Sequence, residues 1–94
     1  MNNSHAHLML LLLDIQALED KLHEFERRYR LRSDVFHRLV QEGKLEQSTD
    51  FILWLGLYET YLDREAEYEL LLEEKLTPML TFLNQEAFSD AVFA

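Results

Sequence analysis

From Leu8 onward the apolar residues return at alternating steps of three and four: Leu8, Leu11, Ile15, Leu18, Leu22, Phe25 and Tyr29. A repeat of about 3.5 residues sustained over about three heptads marks a helix that presents one seam to another helix. A strand, with a side-chain period of two, would scatter the same residues over both of its faces. A second stripe obeys the same rule: Phe51, Trp54, Tyr58, Tyr61, Tyr68 and Leu72, with Glu65 falling in the row. With only two glycines and one proline, the chain also lacks the breakpoints of a many-turned β fold. The expected fold is all-α: an antiparallel helical hairpin or small bundle with a short bridging helix and coiled-coil-like packing. A single domain over residues 1–94 is expected, with 1–7 and 88–94 as frayed tails.

Local signals place the elements. Ser4 can cap a first helix running from about His5 to Arg30. Glu24 with Arg28 and Glu26 with Arg30 have the spacing of favourable pairs on its outer face. Arg27, Arg28 and Arg30 suit its carbonyl end. Leu31-Arg32 reads as a tight link, and Ser33 as the cap of a short helix from Asp34 to about Glu42. Phe36, Leu39 and Val40 form its apolar side. Gly43 is placed to end it in the left-handed conformation. Ser48 or Thr49 caps the third helix, with Asp50 in its first turn. That helix is expected to reach Leu76, after which Thr77-Pro78 reads as a fresh start for a fourth helix to about Ala87. Trp54 belongs in the core near Phe25 or Phe36, and Glu65 is expected to meet an Arg.

Charge is uneven along the chain. Up to Ser48 there are seven Lys/Arg against eight Asp/Glu; from Thr49 onward there are two against ten. The net charge of −9 argues against nucleic acid as the sole partner, and the acidic half suits a basic protein partner. The arginines at 27, 28, 30, 32 and 38 could contact phosphate or meet the acidic helix, and the ten-to-two balance favours the helix. Six apolar residues from Leu8 to Leu13 fall far short of the ~20 that span a bilayer. No Lys or Arg precedes the run, so no signal peptide and no membrane segment are expected, and the protein reads as cytoplasmic.

Reaction chemistry is not evident. There is no cysteine, no Gly-rich phosphate loop and no nucleophile motif. Asp20 with His23 and Asp34 with His37 each supply half of a zinc site, and nothing supplies the rest. The chain is therefore read as a non-enzyme that needs no cofactor or metal. Its candidate residues are interaction residues. Leu8, Leu11, Leu12, Ile15, Leu18 and Leu22 are candidates for self-association as a homodimer or higher oligomer, because the band from Met9 to Leu13 exceeds what one neighbour covers. Phe25, Phe36, Phe51, Trp54, Tyr58 and Tyr61 are candidate core or partner-binding aromatics.

The stretch Phe25-Glu26, Tyr29, Ser33, Phe36, Gly43-Lys44-Leu45, Asp50-Phe51, Trp54 and Leu57-Tyr58 resembles a family of small bacterial and cyanobacterial helical proteins. These are usually encoded beside a toxin gene and regarded as antitoxin-like. The resemblance covers about a third of the chain. It departs where the family carries Tyr-Gly-Met before the Ser, here Tyr29-Arg30-Leu31-Arg32, and where an acidic stretch is replaced by Glu46-Gln47-Ser48-Thr49. The chain also continues past the family's usual end, from about Arg64. The resemblance implies a protein that neutralises a toxin partner through an acidic and aromatic helical surface. An oligomeric structural or assembly adaptor with no toxin partner is the alternative.

Overall fold

A computed structural model describes residues 3–93, with side chains from 6 to 77. It contains three helices, α1 (Asn3–Tyr29), α2 (Ser33–Gln41) and α3 (Thr49–Phe93). Helices α1 and α3 lie side by side and antiparallel. Asp14, early in α1, pairs with Arg64 at 3.1 Å, while Arg28, late in α1, pairs with Asp50 at 2.9 Å. The α1 seam supplies Leu11, Ile15 and Leu22 to the buried core, and α3 answers with Trp54. Helix α2 closes the open end of the hairpin by burying Phe36 against Trp54. The fold is thus the expected all-α hairpin with a short bridging helix.

The turns differ from expectation in informative ways. Helix α1 stops at Tyr29, and Arg30 takes a left-handed backbone with φ +53°. The Leu31 N–H then reaches back to the Glu26 carbonyl at 3.2 Å, capping a carbonyl that the helix leaves open. Helix α2 ends in the same geometry. Gly43 has φ +68°, its N–H bonds the Val40 carbonyl, and the Lys44 N–H bonds the Leu39 carbonyl. Gly43 performs its expected role, and Arg30 performs the same role without glycine's freedom.

At the start of α3 the cap is Ser48, whose Oγ accepts the Phe51 N–H at 3.1 Å. The break expected at Thr77-Pro78 does not occur: α3 is continuous for 45 residues, and there is no separate fourth helix among the described residues. An N-capping threonine turns its hydroxyl forward to the first-turn amides. Thr77 instead donates its hydroxyl backward to the Glu73 carbonyl, the bond of a threonine inside a helix. At the N-terminal end, Ser4 lies inside α1 rather than ahead of it. Of the expected tails, residues 3–7 and 88–93 are helical in backbone. Residues 1, 2 and 94, and the side chains from 78 onward, including Phe88, Val92 and Phe93, lie outside the described residues.

Candidate interaction surfaces

The joint between the three helices is aromatic. Trp54 and Phe36 are completely buried and stack nearly parallel, ring centres 3.9 Å apart. Phe25 and Tyr29 of α1 stack on Trp54 at 5.6 and 5.7 Å, and Phe51 meets Phe36 and Tyr29 edge-on. Full burial of two such rings contributes roughly 2–3 kcal/mol each before chain entropy is set against it. The indole N–H, which could not be buried unpaired, donates to Ser33 Oγ at 2.9 Å. Ser33 is therefore not the cap of α2. Its own N–H, an orphan donor of the first turn, is taken by the Glu26 carboxylate at 2.8 Å. Residue Arg32 stands at the cap position with no side-chain bond. A carboxylate reaching from one helix to cap the next leaves no local signature, which is why sequence reasoning assigned the cap to Ser33.

Of the candidate aromatics, Trp54 and Phe36 offer nothing to a partner, while Phe25, Phe51, Tyr58 and Tyr61 are half-buried around them. Tyr58 and Tyr61 border an open cleft of about 210 Å³ with Glu19, His23, Glu26 and Asp34. Burial, then the nearby Glu65 and Glu19, push the Tyr61 phenol up to about 12. Tyr58 is raised by burial and by Asp34 and Glu26. Glu65 thus borders a phenol, and it does not meet the expected arginine. Arg32 lines the same cleft, which is open to water.

Ionic contacts fasten the hairpin at its rim. Asp50 accepts from Tyr29 Oη at 2.5 Å and from Arg28 Nη1 at 2.9 Å, and these two bonds hold its carboxyl below the usual range. Both Arg28 and Tyr29 are raised by the same contact. The expected pairs within α1, Glu24 with Arg28 and Glu26 with Arg30, do not form, because Arg28 and Glu26 have partners on other elements. Of the arginine cluster, only Arg28 meets α3. Arg27, Arg30, Arg32 and Arg38 make no ion pair among the described residues. His37 lies 3.4 Å from Gln41 and 3.7 Å from Glu59. Among the described residues no group of three or more potential ligands gathers for a metal, and no helix is long and apolar enough to cross a membrane.

Two of the exposed rows stand out, one on each long helix, and they meet at their edges, where Leu10 and Glu67 line one open groove of about 470 Å³ with Asp14 and Arg64. The candidate self-association residues divide: Leu11, Ile15 and Leu22 are buried beneath α3, and Leu8, Leu12 and Leu18 are half-buried. The seam that looked available to a second copy is filled within the chain. Roughly half a turn around α1 lies a separate exposed row: Ala6, Met9, Leu10, Leu13 and Ala17, with Met9, Leu10 and Leu13 at 52, 66 and 55% exposure. On α3 the outward row is Glu59, Asp63, Glu67, Leu70 and Glu74, all exposed. Its Asp63, Glu67 and Glu74 form no ion pair among the described residues. The sequence marked the band from Met9 to Leu13 as more than one neighbour covers, and Met9, Leu10 and Leu13 are exposed; the α3 row was hidden because the aromatic core stripe dominates the period. Comparison with protein-family models, curated proteins and solved structures finds no match to the chain.

Proposed function

We propose that this chain is a non-catalytic helical protein-interaction module of the antitoxin-like kind, which neutralises a basic partner through the outward acidic row of α3. The observation that carries the reading is that row: Asp63, Glu67 and Glu74, one to two turns apart, exposed and without ion pairs among the described residues. Unpaired like charges along one helix face cost stability through mutual repulsion, and a basic partner relieves that cost while gaining rate from electrostatic steering. The resemblance supports the same reading. Its positions Phe25, Tyr29, Ser33, Phe36, Gly43, Phe51 and Trp54 build the joint that holds the helix bearing the row. Trp54 and Phe36 of the expected aromatic surface are taken into the core, and the face offered to the partner is acidic with an aliphatic centre at Leu70. Phosphate would be repelled from this row, so nucleic acid is not its ligand. The site of action in this reading is the cytoplasm, beside a co-encoded basic toxin.

The test is co-expression with the product of the adjoining reading frame, scored by growth rescue and by salt-dependent binding in solution. Asp63→Lys with Glu67→Lys is expected to abolish rescue and binding while changing stability by no more than about 0.5 kcal/mol, as exposed substitutions do. Binding that survives the charge reversal, or that ignores salt, overturns the reading. The exposed apolar row on α1 favours the second reading, an oligomeric assembly adaptor with no toxin partner.

A further inference from the structure

We propose that the outward row of α1 is the seat of a second copy of this chain, joined antiparallel about a two-fold axis between Leu10 and Leu13. This goes beyond the function proposed above and uses a face of the other long helix. Helix α3 covers one side of α1, and α2 docks at the far end, against residues near Glu26. Nothing among the described residues covers Met9, Leu10 and Leu13, each more than half exposed. A contiguous apolar row of this kind is uncommon on a monomer.

The spacing identifies the occupant. Ala6, Leu10, Leu13 and Ala17 are separated by four, three and four residues, a pattern that reads identically in both directions. A two-fold contact requires such a self-complementary patch. Placing two copies head to tail sets Leu10 against Leu13 of the second copy at the centre. At either end Ala6 meets Ala17 of the second copy, where the small side chains let the backbones approach.

Charge points the same way. The row itself carries no charged side chain, and the neighbouring Asp14 is already paired with Arg64. A basic or acidic partner gains nothing at this face, whereas a neutral apolar copy of it does. Three large side chains and two alanines per copy lie below the roughly 800 Å² per partner of a standard interface. The dimer is accordingly reversible, with dissociation in the micromolar range.

Sedimentation equilibrium from low to high micromolar concentration tests this directly. The mass is expected to rise from one chain to two, and Leu10→Glu with Leu13→Glu should hold it at one chain with an unchanged helical circular-dichroism spectrum. Because the chain has no cysteine, orientation can be read by oxidative cross-linking. A mixture of Leu10→Cys and Leu13→Cys chains should cross-link at least several-fold faster than Leu10→Cys alone. A single-chain mass at every concentration overturns the proposal. So does a dimer that survives both glutamates, or Leu10→Cys chains that couple to one another as readily as to Leu13→Cys chains.

Discussion

Trp54 is where the sequence's strongest single expectation meets a contact that no local rule supplies. The three-and-four spacing puts it in the core, and the structure buries it fully, stacked on Phe36, Phe25 and Tyr29. Its bond to Ser33, 21 residues away, depends on how α2 docks and was not legible. A serine at the head of a helix is read as a cap, because that is its usual work. The two roles differ in what their loss does. Trp54→Ala removes the joint and is expected to cost ~3–5 kcal/mol in urea or thermal unfolding. Ser33→Ala leaves the ring in place and strands the buried indole N–H, with an expected cost of ~1–3 kcal/mol. An effect below about 0.5 kcal/mol for Ser33→Ala would mean that the indole finds water or another acceptor.

At the scale of the element, the helices were legible and their ends only partly so. Periodicity, with Gly43 and Ser48 as end signals, placed α1, α2 and the start of α3 within a residue or two, while Ser4 and Ser33 proved not to be caps. Arg30 escaped notice because any residue with a β-carbon is a poor choice for φ +53°. Arg30→Gly should therefore relieve strain by more than the added freedom of the unfolded chain removes. A net gain of about 0.5–1 kcal/mol is expected from denaturant midpoints, and a loss would show that the Arg30 side chain contributes more than its backbone forfeits. The opposite error concerns α3. Pro78 is a penalty of about 3 kcal/mol on helical interior geometry and not a prohibition. Glu73, Glu74, Lys75 and Leu76 before it are good helix formers, and the backward bond of Thr77 to Glu73 continues the turn. Local breaker rules weigh the proline and miss what surrounds it.

For the molecule as a whole, the phenols tie the packing of α1 against α3 to pH. Tyr61 is held to about 12, and Tyr58 and Tyr29 are raised as well. An unfolded phenol loses its proton near 10, before the folded one does, so in that interval the folded state holds more protons. Stability is then expected to fall as pH rises from about 10 to about 12, and Tyr61→Phe should flatten the fall; chemical unfolding at several alkaline pH values checks this. Of the faces left open at this scale, the band from Met9 to Leu13 was legible as more than one neighbour covers; which of its leucines stay outside was not, since that depends on how the partner helix docks. Leu11 and Leu13 are equally apolar in composition, yet one is core and the other surface. The apolar row of α1 and the acidic row of α3 lie on different helices and share an edge at the groove between Leu10 and Glu67, and this geometry sets valency. A ligand seated on the acidic row away from Glu67 leaves the apolar row open to a second copy. Two chains joined through α1 would present two equivalent acidic rows on one particle. A partner that is itself dimeric could bridge them, and its residence time would then depend on the span between the rows as well as on the strength of either contact.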